Sequence, residues 1–291
     1  MSPTKRKKRR DQIKVTIGPF RNLADYETCM EIQREVWTCQ DIEIIPAFFL
    51  IAAESHGGIS LAAFNSLSEM VGFVSGILGT HGGQAVHYSY LLGVRKAYRN
   101  FDVGFKLKLA QRREVMKRKI RDITWTFDPM QPLNAYFNLG KLGAQAKAYE
   151  ENYYGETTSV LDRGLPTDRL FARWELAGKH VEGRIESGPP RRDLRKELKK
   201  YPVINTPEDV SPGVTISSPI RLVFDARQVL FEIPYNLPEI KNRNLGVALE
   251  WQGKMRQAFR AYFKKGYAAT DFWMAEDEGH IRTFYFLEKQ K

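Results

Sequence analysis

AVHYSYLLGV (85–94), RKAYRNFDVGFKLKLAQRREVMKRK (95–119), IRDITWTFDP (120–129) and MQPLNAYFNLGKLGA (130–144) form one continuous stretch, and the reading of the chain turns on it. The first segment has strand character up to Val94. A turn follows, and a helix is expected from about Val103. A second strand spans Asp122–Phe127 and closes at Asp128-Pro129; a short helix is expected over 133–142. A strand that feeds a helix through a turn is a recurrent phosphate-binding device, because a helix start carries free N–H donors and a partial positive charge.

Working outward, Ile13, Val15 and Ile17 alternate as a strand does, and Gly18-Pro19 ends it. A helix is expected from Asp25, with Met30, Ile32, Val36 and Trp37 on its apolar face, and a second from Ala47 behind Pro46. Two strands, Ile59–Phe64 and 70–78, and a loop at 79–83 lead back to Ala85. Downstream, 147–154 and 169–176 read as strands. The segment 178–220 changes character: Pro189-Pro190, Pro202, Pro207, Pro212 and Pro219 surround the charge run 191–200, which reads as an irregular connector with one short helix. Strand-like sequence at 221–234, a helix at 245–263 with Leu245, Leu249, Met255, Phe259 and Phe263 on one face, and strands at 267–274 and 281–287 complete the chain. Periodicity by itself supports an α/β or α+β fold.

Composition narrows the classes. A chain of 291 residues with 43% hydrophobic and 12% aromatic residues has ample material for a core. Cys29 and Cys39 make neither a disulfide scaffold nor a metal site and read as reduced thiols, so a cytoplasmic protein is expected. No run is long enough to span a membrane, and the basic start is not followed by the apolar segment of a signal peptide. Of the net charge of +11, the run 5–10 supplies six, leaving +5 for the rest. That tail leaves nucleic acid open as a partner, but no aromatic interleaves it, and nucleic acid is not the favoured reading.

Val94 followed by Arg99-Asn100-Phe101-Asp102-Val103-Gly104 resembles the acyl-CoA-binding signature of the GNAT acyltransferase superfamily, an Arg or Gln followed by spaced glycines between the fourth strand and the main helix. Asn134-Ala135 with Lys141-Leu142-Gly143-Ala144 is similar to the second motif of the superfamily. A narrower likeness is to a predicted-acetyltransferase branch with a C-terminal extension. It rests on Gln111-Arg112, Trp125-Thr126-Phe127-Asp128-Pro129, Asn134-Ala135 with Asn138, and Leu165-Pro166-Thr167-Asp168-Arg169, and covers 12–176 best.

The resemblance implies a mixed, mostly antiparallel sheet with helices on both faces, to which the sequence adds a smaller C-terminal β-α-β-β half. The expected organisation is a basic tail at 1–11, a GNAT-like acyl-CoA-binding domain at 12–177, a Pro-rich connector at 178–220 and a β-α-β-β region at 221–291 packed on the first domain. It further implies an acyltransferase that takes acetyl-CoA or another acyl-CoA as co-substrate, without a metal, and a small amine or amino acid as acceptor. The implied cofactor residues are Leu92, Gly93 and Val94 as a strand edge for the pantetheine amides, then Arg99, Asn100, Phe101, Asp102, Val103, Gly104 and Phe105 around the pyrophosphate, with Asn134 and Asn138 four apart in the second motif.

Three departures from the family pattern bear on chemistry. Asn100 and Asp102 stand where glycines are usual, and the Asp102 carboxylate repels a diphosphate unless it caps the helix. The fourth-strand parity that carries a carboxylate base in many relatives carries Tyr88 and Tyr90 here, while His87 lies on the opposite parity. The family's usual thiolate acid is a Tyr at the position held by Leu139, with Tyr136 one turn earlier. The alternatives are a non-catalytic GNAT-fold acyl-CoA-binding protein and a nucleic-acid-associated protein using the basic tail. The sequence leaves the oligomeric state undetermined.

Overall fold

A computed structural model describes residues 14–162, 164–211 and 213–290. The basic run at 5–10 and Ile13 lie outside these residues. The described residues form two compact units, one within 14–125 and 157–162, the other within 126–156 and 164–290. This division falls inside the strand at 122–127, whereas composition places a boundary in the 178–220 connector.

In the first unit, strands β1 (Thr16–Pro19), β2 (Ile59–Phe64), β3 (Met70–His81) and β4 (Gln84–Val94) pair antiparallel in that order. Strand β5 (Asp122–Phe127) is parallel to β4. Helices α1 (Leu23–Trp37) and α2 (Ala47–Ser55) lie on one face of this sheet and α3 (Val103–Lys117) on the other. Cys29, Ile32 and Leu50 of α1 and α2 bury against Ala62, Phe64 and Phe73. Lys108 and Gln111 of α3 meet Ser89 and His87. Burial of such apolar clusters is the main stabilising term. The Asn22 side chain caps α1 by accepting from Asp25 N, so the helix begins at Leu23, ahead of the expected Asp25. The expected loop at 79–83 is instead a tight hairpin. β3 runs on to His81, which pairs with Gln84, and Gly82 and Gly83 have φ of 56° and 75°, the left-handed conformation a two-residue hairpin turn demands.

In the second unit the strand order is β7 (Arg169–Glu175), β6 (Gln145–Glu150), β11 (Tyr267–Asp277), β12 (His280–Lys289) and β10 (Gln228–Pro234), antiparallel throughout. The sequence places the β6 strand at 147–154; it starts two residues earlier and ends in a turn at 151–154. The expected helix at 133–142 is a single α turn, α4 (Pro132–Ala135), continued by a π-helical segment, Tyr136–Lys141, closed by Leu142 N donating to Phe137 O at 3.0 Å.

The connector at 178–220 holds more structure than one short helix. It contains α5 (Lys179–Ser187), α6 (Leu194–Lys200) and the small pair β8 (Pro207–Ser211) and β9 (Val214–Ser217). An extra helix, α7 (Leu237–Arg243), precedes α8 (Leu245–Lys264), so the C-terminal order is β-α-α-β-β. The buried stripe of α8 is Ala248, Trp251, Gln252, Met255, Ala258, Phe259 and Tyr262, whereas Leu245 and Leu249 are 42% and 44% exposed. Phe259 sits among Tyr149, Phe231 and Tyr285 at ring-centroid distances of 5.0–5.9 Å. Arg256 holds Asp168 through two bonds of 2.7 and 2.8 Å. The residues 221–291 thus share one core with β6.

Candidate active site

The geometry of β4 defines the candidate site. Tyr88 pairs with Ile77 of β3 and Leu91 with Ser75, so Ser89 and Tyr90 oppose Gly76 alone. This is a β-bulge, and it reverses the parity of the strand. Before it, His87 and Ser89 face α3; beyond it, Leu91 and Gly93 face α1, where Gly93 lies against Phe73 and Ile32. A Cβ on Gly93 would stand 2.9 Å from Phe73 Cε1. The parallel pairing with β5 is confined to His87↔Ile123 and Tyr88↔Thr124. Leu92, Gly93 and Val94 are therefore laddered on the β3 side only, among the described residues.

The turn after β4 keeps the conformation of a glycine-rich loop without its glycines. Asn100 and Asp102 have φ of 67° and 57°. Asn and Asp are the non-glycine residues that best tolerate this left-handed region, which explains why they stand at the signature's glycine positions. Asp102 is the N-cap residue of α3, but its side chain makes no cap hydrogen bond, so the capping alternative does not hold. Val103 is buried, Phe101, Gly104 and Phe105 are half-buried, and Arg99 and Asn100 are exposed. The Arg99 side chain folds back so that Nε donates to Val94 O at 3.1 Å.

His87 is fully buried. Gln111 Oε1 accepts from Lys108 Nζ at 2.8 Å and from Ser89 Oγ at 3.0 Å, which turns its Nε2 toward His87 Nε2 at 3.1 Å. That contact places the ring proton on Nδ1, which is buried and has no hydrogen-bond partner among the described residues. Burial first, then the charges of Lys108 and Arg118, push the His87 imidazole down to about 3. His87 is closed to any acceptor that enters from solvent, so its place is interior. Tyr88 is half-buried and Tyr90 is 41% exposed, with rings 6.1 Å apart.

In the second unit, Asn138 Nδ2 donates to Asn134 Oδ1 at 3.0 Å, so the two second-motif amides bind each other. Leu139 is fully buried. Tyr136 packs over Gly140, and burial raises its phenol above the ordinary value.

Sequence pattern alone does not mark Lys108, Ser89 and Gln111 as a group, although the structure brings them together in the interior. A signal for two of them is present: Lys108 and Gln111 fall within the apolar stripe Val103, Leu107, Ala110 and Val115 of α3. Among the described residues no group of His, Cys, Asp and Glu could hold a metal ion, and no single helix is long and apolar enough to cross a membrane.

The bulged β4, its one-sided edge, the left-handed turn and the helix behind it form a strand–turn–helix arrangement of the kind that the sequence resemblance implies. No family model matches the chain, and no curated protein matches it. Among solved structures, a putative acetyltransferase of the GNAT family from Desulfovibrio desulfuricans is similar over 56% of this chain and 100% of its own, at 15% identity and a TM-score of 0.46. Aminoglycoside 6'-acetyltransferase type Ii is similar over 56% of this chain and 99% of its own, at 19% identity and a TM-score of 0.44. A fungal multi-domain β-N-acetylglucosaminidase with a glucosamine N-acetyltransferase region is similar over 39% of this chain, at 16% identity and a TM-score of 0.33; the matched part is 13% of that protein.

Proposed function

We propose that this protein is an acyl-CoA-dependent N-acyltransferase, transferring an acetyl group to a small amine or amino acid. The observation that carries the reading is the β4–α3 junction, where a strand edge laddered on one side leads into a turn with positive φ at Asn100 and Asp102. In this reading Leu92, Gly93 and Val94 pair with the pantetheine amides as an added strand would. The turn at 99–104 and the start of α3 receive the pyrophosphate, with Arg99 swinging from Val94 O to add a charged hydrogen bond.

The transfer itself forms a C–N bond to the amine and breaks the thioester C–S bond, releasing CoA as the thiol once it has taken up a proton. No carboxylate stands at Tyr88 or Tyr90. Removal of the amine proton therefore falls to a water held by Tyr88 or Tyr90, and positioning supplies much of the acceleration. Buried Leu139 lends weight to a second reading, a GNAT-fold protein that binds acyl-CoA without turning it over.

Titration calorimetry with acetyl-CoA, followed by a thiol-release assay against a panel of amines, tests both readings. Binding is expected, and Arg99→Ala should weaken it by about 1–3 kcal/mol. Absence of binding at millimolar acetyl-CoA by the folded protein would sink the proposal. Binding without thiol release favours the second reading.

A further inference from the structure

Helix α5, strands β6, β11 and β12 and the loop at 188–193 of the second unit line an open pocket of about 590 Å³, with Gln145, Lys179, His180, Arg184, Arg192 and Thr270 among its walls. Its chemistry follows from one buried carboxylate, Asp271. Oδ2 of that residue accepts from Arg184 Nη2 at 2.5 Å, Arg192 Nη2 at 2.8 Å and Trp273 Nε1 at 2.9 Å, and Oδ1 accepts from Phe272 N at 2.8 Å. Three donors crowd Oδ2, and Oδ1 is held by the backbone. The other terminal nitrogen of Arg184, Nη1, is buried and has no hydrogen-bond partner among the described residues. Arg184 itself is 7% exposed.

The surroundings hold this guanidinium in place. Arg192 lies over the Trp273 ring at 4.1 Å. Gly143 has φ of +71°, and a Cβ there would stand 2.9 Å from Arg184 Cγ and 3.2 Å from His180 Cδ2, so the turn leaves room for both side chains. The other acid of the lining, Glu288, already accepts from Gln228 Nε2 at 2.7 Å. What remains on the wall is rich in donors: the Lys179 ammonium, the two guanidiniums, the Thr270 hydroxyl and the Gln145 amide.

We propose that this pocket is a binding site for a small molecule bearing an oxyanion, a carboxylate or a phosphate, anchored on Arg184, Arg192 and Lys179. The volume suits a metabolite-sized ligand. An oxyanion supplies the acceptor that Arg184 Nη1 lacks among the described residues. Nη1 is enclosed, so the approach of the anion has to displace a covering side chain. The site is built wholly within the second unit and does not depend on the acyltransferase reading.

Titration calorimetry of the full-length protein at low ionic strength, with citrate and inorganic phosphate as separate probes, tests the proposal. A saturable heat from citrate alone assigns a carboxylate ligand, and from phosphate alone a phosphate ester. Lys179→Ala should weaken that binding about tenfold, and Arg184→Met should abolish it. Should Arg184→Met not fold, Thr270→Val, a near-isosteric change, serves beside Lys179→Ala and should also weaken binding. The proposal is overturned if neither probe gives a saturable heat with the folded protein. It is equally overturned if the heat persists unchanged in Lys179→Ala and Thr270→Val, since the anion then sits elsewhere, as on the basic run at 5–10.

Discussion

Lys108 in the first unit and Arg184 in the second are both nearly occluded cations, at 2% and 7% exposure, but they are accommodated in different ways. Lys108 Nζ donates to neutral partners, Ser89 Oγ and Gln111 Oε1, and lies 4.1 Å from the Trp125 ring centroid. Burial pushes its ammonium well below the ordinary lysine value. Arg184 keeps its charge and is matched by the Asp271 carboxylate, which also takes Arg192. The difference follows from side-chain chemistry. An amine can shed its proton to escape desolvation, whereas a guanidinium cannot and needs a counter-ion.

The sharpest way to break this comparison is to remove each partner set. Asp271→Ala leaves two arginines without their shared carboxylate and should cost about 3–5 kcal/mol, the usual penalty for stranding a buried charge. Lys108→Met keeps a similar volume and leaves Ser89 bonded to Gln111 at 3.0 Å, so it should cost under about 1.5 kcal/mol. Urea unfolding of the two variants beside the parent measures both. Equal costs would mean that Lys108 depends on its partners as strongly as Arg184 does.

Acid titration tests the first cluster on its own terms. The folded-state value of His87 is about 3, against an ordinary 6.5. Between these values the unfolded chain binds a proton that the folded chain refuses. Stability therefore falls as pH drops from 6.5 toward 3, with a slope approaching ~1.4 kcal/mol per pH unit from this residue. Lys108, also lowered, acts with the same sign at higher pH, adding stability as pH rises toward 10.5. His87→Leu should flatten the fall in melting temperature between pH 6.5 and 5, above the range where most carboxylates titrate. An unchanged slope would place the acid sensitivity elsewhere.

The fold of the first unit was legible in the sequence because its periods are strong. β2 and β5 alternate or run apolar between turn residues, and α3 carries a clear stripe. The bulge at Ser89–Tyr90 was not legible, because it inserts one residue without any compositional mark and so defeats parity counting along β4. In the connector, α5 buries only Val181 and Arg184, too few for a stripe; its anchor is an ion pair to a residue 87 positions away. On α8 the sequence reading was out of phase at the first two turns, where small Ala248 and polar Gln252 face inward and Leu245 and Leu249 do not. Of the candidate site, the resemblance points to the end of β4 at Leu92–Val94 and to the turn at 99–104. The interior place of His87 was not legible, because it depends on Gly76, where a Cβ would stand 2.3 Å from His87 Nε2.

The smallest expected effect separates backbone from side chain in the β4–α3 turn. Asp102 has φ of 57° and no cap hydrogen bond from its side chain. Glycine occupies that conformation without a steric penalty, so Asp102→Gly should change stability by less than about 1 kcal/mol. Its half-buried carboxylate, by contrast, sits where a diphosphate is expected, and a like-charge contact near the surface costs about 0.2–1 kcal/mol. Asp102→Gly should therefore tighten acetyl-CoA binding by about 1.4- to fivefold. The gain should shrink as salt is raised, because charges near the surface are screened. Asn100→Gly is the neutral control: it also stands at positive φ and should leave affinity unchanged. If both variants tighten binding equally, flexibility of the turn is the cause. If Asp102→Gly weakens it, the carboxylate contacts the ligand or a group that holds it, and the turn at 99–104 does not receive the diphosphate in the orientation assigned to it.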